Sequence, residues 1–147
     1  MRIIEKDLDE KTINSLISLS EEWENEAVSY GYRKNTIDDI KSNRIFLAVE
    51  CDEIVGYLLG HRETAKKDTD IYQKAEEYFE IEELYVKREY RSKGIGSQLF
   101  RYMEHKIKDE VSLVVLGTAT KNYRAILHFY IEELDMSFWS AALFKRI

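Results

Sequence analysis

The sequence predicts an α/β (α+β) fold: a mixed central sheet of six to seven strands with about four helices, in a single domain spanning residues 1–147. Three observations carry this. Strand-like apolar runs and helical stripes are interleaved along the chain. A hydrophobic content of 44% over 147 residues is enough for one packed core. The 34% of charged residues are spread among aromatic and β-branched ones, unlike a disordered chain, with no repeat or low-complexity segment.

The elements follow in order. "RIIE" reads as a short strand. In "DLDEKTINSLISLSEEWENEAV" the residues Leu8, Ile13, Leu16, Ile17, Leu19 and Trp23 keep near-helical spacing, which predicts an amphipathic helix with an acidic end. "KNTIDDIKSN" carries Asn35 or Thr36 before Asp38 and Asp39, the pattern of a helix start. "RIFLAVE" and "EIVGYLLGH", separated by "CDE", read as a hairpin. The polar "RETAKKDTDIYQKAEE" reads as a long loop or irregular helix.

"YFEIEELYV" is a fourth strand, with Phe79, Ile81 and Tyr85 on one parity and Glu80, Glu82, Leu84 and Val86 on the other, unless a bulge shifts the phase. From Gly94 the series Ile95, Leu99, Met103, Ile107 predicts a helix, and "SLVVLGTA" a buried strand. "KNYRAILHFYIEEL" is a further helix through Ala125, Ile126, Phe129 and Tyr130. "DMSFWSAALFKRI" reads as one bulged strand or a tight hairpin around Trp139 and Ser140.

Composition narrows the function. No apolar run reaches the roughly 18 residues of a bilayer span, and "MRIIEKDLDE" is unlike a signal peptide, so a cytoplasmic protein without membrane partner is expected. The net charge of -6 disfavours a nucleic-acid partner. Cys51 is alone, and His61, His105 and His128 lack metal spacing, so neither a disulfide nor a metal is expected.

Against this acidic background stands "YVKREYRSKGIGSQ" at 85–98, a junction between strand and helix with four basic side chains and glycines at 94 and 96. Such a junction exposes the helix's first backbone N–H groups, which attract an anion, and the glycines let a diphosphate approach. It is not a P-loop, because Lys93 precedes the glycine and no GK[ST] follows; nor is it a dinucleotide fingerprint, because Leu99 stands at the third glycine.

"RSKGIG", following a strand that ends in an apolar residue, closely resembles the [RQ]xxGx[GA] acetyl-coenzyme A loop of the GNAT superfamily of N-acetyltransferases. The resemblance extends to the element order of nearly the whole chain and to "NYRAILHFY", with Asn122, Ala125 and Tyr130 at the family's positions. It implies that the sheet splays between strands 4 and 5 and that acetyl-coenzyme A lies in the slot. Backbone amides of Arg91, Ser92, Lys93, Gly94, Ile95 and Gly96 would hold its diphosphate. Main-chain groups of Leu84, Tyr85 and Val86 would align its pantetheine arm, with Asn122 near the thioester end. The family's frequent "GF" after this helix is replaced by Asp135 and Met136.

The implied activity is transfer of acetyl to an amine of a small, cationic acceptor by direct attack in a ternary complex. A primary amine of pKa ~10 is mostly protonated at neutral pH, so a base is useful. Glu82 is favoured for that role over Glu80. Tyr130 occupies the family's general-acid position, with Tyr123 as the competing phenol. Glu21, Glu22, Glu24 and Glu26 are expected to draw a cationic acceptor, since the family's first helices wall that site. A degenerate acyl-coenzyme A binding or regulatory module is the alternative. An apolar terminal strand suits pairing with another chain, so a homodimer is a candidate assembly.

Overall fold

The computed structural model describes residues 1–147. Its elements are β1 (Arg2–Lys6), α1 (Glu10–Glu26), α2 (Ile37–Lys41), β2 (Arg44–Glu50), β3 (Glu53–Thr64), β4 (Glu77–Val86), α3 (Ile95–Ile107), β5 (Leu113–Val115) and α4 (Tyr123–Leu127). The sheet has five strands in the order β1-β2-β3-β4-β5, antiparallel except for the parallel β4–β5 pair. Six to seven strands were expected; the difference lies in residues 137–147, which form no strand. The sequence pattern there marks an extended apolar segment, but a strand also needs a hydrogen-bonded neighbour, and this segment has none.

Local chemistry starts the helices where the sequence pattern placed them. The Asp9 side chain accepts from the Thr12 N–H and caps α1, and Thr36 with Asp39 forms a reciprocal capping box on α2. The β2–β3 hairpin turns on Cys51 and Asp52, both with positive φ, as a two-residue turn that follows the strands' twist demands. Residues 65–76 form turns tied by Ala65 N–H to Glu76 and Ala75 N–H to Ala65.

The sheet separates two cores. Phe46, Val55, Leu58 and Phe79 pack with Leu99, Phe100 and Met103 of α3; Leu47, Tyr57, Leu59 and Tyr85 pack with Leu16 and Leu19 of α1 and Ile40 of α2. β4 changes its facing midway. Leu59 pairs with Glu83 and the next residue, Gly60, with Ile81, so Glu82 is an extra, bulged residue. Phe79 and Ile81 before it, and Leu84 and Val86 after it, all touch the α3 core, while Tyr85 turns to the α1 side.

Gly60 sits opposite this bulge with no room for a side chain: a Cβ there would collide with the Phe79 ring and lie 2.7 Å from the Glu80 carbonyl oxygen. Gly60→Ala is therefore expected to cost about 1–3 kcal/mol by overpacking. Chemical denaturation should show the loss as a lower midpoint at unchanged slope.

Candidate active site

The parallel β4–β5 pairing covers only Tyr78 to Glu80 against Leu113 to Val115. Beyond Glu80 the two strands part, and a cleft of about 460 Å³ opens between Ile81–Val86 of β4 and Leu116–Thr118 after β5. Its far side is bridged by Ser29 paired with Thr120, where the Tyr30 N–H donates to Ala119 and the Lys121 N–H to Val28. The splay implied by the family resemblance is thus present.

One end of the cleft is the start of α3. A 3-10 turn at Arg88–Tyr90 brings the chain round, Ser92 and Gly94 have positive φ, and Gly94 caps the helix without a side-chain hydrogen bond. The first intrahelical bond is Gln98 N–H to Gly94, so the N–H groups of Ile95, Gly96 and Ser97 have no backbone acceptor. Arg91, Ser92, Gly94, Ile95, Gly96 and Ser97 line the cleft. These donors fit a diphosphate. Gly96 has a second role the sequence does not reveal: a Cβ there would lie 3.1 Å from the Phe129 ring.

The cations of the junction are less available than their sequence suggests. Arg91 bonds Glu26 at 2.7 Å and the Val86 carbonyl at 2.8 Å, with its guanidinium over the Tyr85 ring; Lys87 bonds Glu53 at 2.6 Å. Lys93 rests over Tyr90 and is not on the cleft wall. The anion site is built chiefly from backbone. The acidic end of α1 is likewise engaged, Glu26 by Arg91 and Tyr85, Glu21 by Lys34 and Glu24 by Arg33.

Among the β4 glutamates, Glu80 lies off the cleft, 3.8 Å from His61; Glu82 lines the cleft and lies 3.7 Å from the same imidazole. His61 Nε2 also lies 3.0 Å from Glu63, so three carboxylates surround one imidazole. Glu83 is the residue that sequence parity missed. Glu83 is among the residues lining the cleft, and its carboxylate accepts from Tyr57 Oη at 2.7 Å, Asn35 Nδ2 at 2.9 Å and Tyr32 Oη at 3.1 Å, all neutral donors. Burial pushes its pKa above the usual carboxylate range, against the opposing pull of those donors. Burial, then the Glu83 charge, raises both Tyr32 and Tyr57, which stay protonated and donate.

An aromatic wall adjoins this carboxylate. Trp23 stacks on Tyr32 at 4.2 Å and on Tyr85 at 5.4 Å, and Trp23 and Tyr85 both line the cleft. Asn122 and Tyr130 line it from the opposite side. α4 is short and continues as a wider π-helical stretch, His128–Glu133, which carries Tyr130; such stretches recur at functional sites. Burial pushes the Tyr130 hydroxyl up to about 12. Tyr123 is exposed and away from the cleft, which separates the two phenols.

A mixed sheet splayed beside the bare N-terminus of α3 is the architecture of an acetyltransferase family. The model of the Acetyltransferase (GNAT) family matches residues 9–136, and the chain belongs to that family. No curated protein matches the sequence. Among solved structures, the fold is similar to an aminoglycoside acetyltransferase from an uncultured soil metagenomic sample, at 17% identity and TM-score 0.69, covering 100% of this chain and 99% of that one. An aminoglycoside N-acetyltransferase in complex with CoA aligns at 13% identity and TM-score 0.68 over 99% of this chain and 98% of that one. A ribosomal-protein-alanine N-acetyltransferase from Brucella melitensis biovar Abortus 2308 aligns at 14% and 0.67 over 99% and 100%. No helix is long and apolar enough to cross a membrane.

Proposed function

We propose that this protein is a cytoplasmic, homodimeric N-acetyltransferase that moves acetyl from acetyl-coenzyme A to an amine of a small cationic acceptor, by direct attack in a ternary complex and without a metal. One observation carries the reading: a single cleft joins the bare amides of α3 to a carboxylate and an aromatic wall. Acetyl-coenzyme A supplies the activated acyl group as a thioester. The amides of Ile95, Gly96 and Ser97, with the loop from Arg91 through Lys93 and Gly94, hold its diphosphate, while Leu84, Tyr85 and Val86, on the stretch of β4 whose β5-side edge is open, align its arm. Asn122 stands near the reacting end.

On the acceptor side, Trp23 and Tyr85 line the cleft beside Glu83. Glu83 replaces Glu82 and Glu80 as the favoured base: its raised pKa brings it closer to working pH, where a base is effective. It takes the ammonium's proton, directly or through one water. A backbone N–H of β4 stabilises the oxyanion. Tyr130 protonates the departing sulfur. The aromatic and carboxylate lining favours a small cation, such as an aminoglycoside-like amine or a polyamine, over a protein N-terminus.

Calorimetry with acetyl-coenzyme A, then a thiol-release assay over an amine panel, tests this. Expected are binding and acceptor-dependent thiol release. Binding with no release for any amine means a coenzyme-binding module, and no binding defeats both readings.

A further inference from the structure

His61 and Glu63 alternate on β3, and Glu80 is the register partner of His61 on β4, on the face turned away from Phe79, Ile81 and the α3 core. Glu82 comes within reach of the same imidazole as the bulged residue of β4. The histidines lack metal spacing along the chain, but these four side chains converge from two neighbouring strands. No lysine or arginine pairs with Glu63, Glu80 or Glu82; His61 is their sole basic neighbour. The next residue, Arg62, turns instead to Glu77 and Glu110. Three negative charges thus meet a group that carries at most one positive charge.

The ring's proton is placed by Asn43. Its Nδ2 donates to the Asp39 carbonyl at 2.7 Å, which leaves Oδ1 facing His61 Nδ1 at 3.1 Å. Nδ1–H therefore donates to Asn43, and Nε2 presents its lone pair 3.0 Å from Glu63 Oε1 and 3.8 Å from Glu80 Oε2. A lone pair facing two carboxylate oxygens is repulsive unless a cation stands among them. A proton on Nε2 would balance one of the three charges, whereas a divalent ion balances two. The geometry also suits an ion: bonds of about 2.0–2.2 Å hold adjacent ligand atoms about 2.9–3.4 Å apart. Glu63 already lies at that spacing, and Glu80 reaches it by a small side-chain adjustment. One ligand atom each from His61, Glu80 and Glu82 lie within 4.8 Å of one another. The site is partly exposed, so an ion can enter from solvent.

We propose that His61 Nε2, Glu63 and Glu80, with Glu82 in reach, bind a divalent first-row transition-metal ion, and that Asn43 holds the imidazole in the ligating tautomer. An imidazole beside carboxylates suits Zn²⁺ better than Mg²⁺ or Ca²⁺, which take oxygen ligands. The ion ties β3 to β4 next to the bulge and stabilises the fold by binding only the paired strands. It takes no part in acetyl transfer, and the proposal is independent of that reading.

Calorimetry of Zn²⁺ into a Cys51→Ser chain, which lacks the competing thiol, is expected to show one ion bound per chain, with no binding of Mg²⁺. His61→Gln should weaken zinc binding at least tenfold, and Asn43→Ala about 10–100-fold, the usual worth of a partner that orients a metal-bound histidine. His128→Gln should change nothing. Saturating zinc should raise the melting temperature by several degrees in the Cys51→Ser chain and not in its Glu80→Gln derivative. Absence of zinc binding overturns the proposal and leaves a proton on Nε2 as the balancing charge. Zinc binding that is equally strong in His61→Gln also overturns it, as adventitious binding to surface carboxylates. Should Asn43→Ala misfold, as its circular dichroism spectrum would show, His61→Gln decides.

Discussion

Glu83→Gln is expected to lower kcat/KM for acetyl transfer by about 10²–10⁴-fold, the range lost with a general base, while coenzyme binding is unchanged. The amide keeps the size of the carboxyl and can still accept from Tyr57 or Tyr32, but it takes no proton. Its pH dependence gives the sharper readout. Because burial raises the Glu83 pKa, the base form is lost as pH falls through a value above the usual carboxylate range, so the wild-type acidic limb should begin above that range. In Glu83→Gln that limb should disappear. A variant with wild-type turnover and an unchanged acidic limb would return the role to Glu82 or to water alone.

Stability moves the other way. A carboxyl whose folded pKa is raised holds more protons in the native state than in the unfolded chain, so its contribution becomes less favourable as pH rises from the ordinary carboxylate value through the raised one. Above that window the buried charge of Glu83 destabilises the fold. Glu83→Gln removes this penalty. Thermal denaturation near neutral pH should find it at least as stable as the natural chain, which separates lost chemistry from lost folding.

The surroundings of Glu83 show where sequence reading stops. Alternation placed Glu80 and Glu82 with Leu84 and Val86 correctly for an unbroken strand. One bulged residue, Glu82, shifts the phase, so Glu83 and Tyr85 face α1 together. Nothing within "YFEIEELYV" marks the bulge; its signal is Gly60 on the neighbouring strand, where the Phe79 ring and the Glu80 carbonyl crowd the backbone. The tyrosine cage of Glu83 is equally nonlocal, with partners 51, 48 and 26 residues away. By contrast, the α3 junction was legible because its chemistry is local: a strand end, two glycines and a helix start lie within one short stretch. Even there, charge was misleading, since ion pairs to Glu26 and Glu53 tie down the Arg91 and Lys87 that seemed free. The terminal segment, expected as one bulged strand or a tight hairpin, forms neither, because pairing is a property of two strands and composition describes only one.

Tyr130→Phe is expected to lower kcat by about 10²-fold or more, the usual worth of a positioned acid, with coenzyme affinity retained. A phenol held at about 12 is a weak acid beside a free thiol of pKa ~8.5, and in water the proton would move uphill. The same desolvation acts on the departing sulfur, however. A thiolate forming in the cleft is stripped of water as the phenolate would be, and its own pKa rises with it, which restores much of the match. Tyr130 therefore starts as a hydrogen-bond donor to the sulfur and yields its proton only as the bond to the acetyl carbon breaks. Two results follow. Tyr130 contributes no basic limb to the rate in the ordinary assay range, because it stays protonated there. Replacing the thiol with a better leaving group, in an activated thioester analogue of low thiol pKa, should largely rescue Tyr130→Phe and leave Glu83→Gln impaired. Equal rescue of both variants, or of neither, would remove Tyr130 from the acid role and leave it as a packed wall of the cleft.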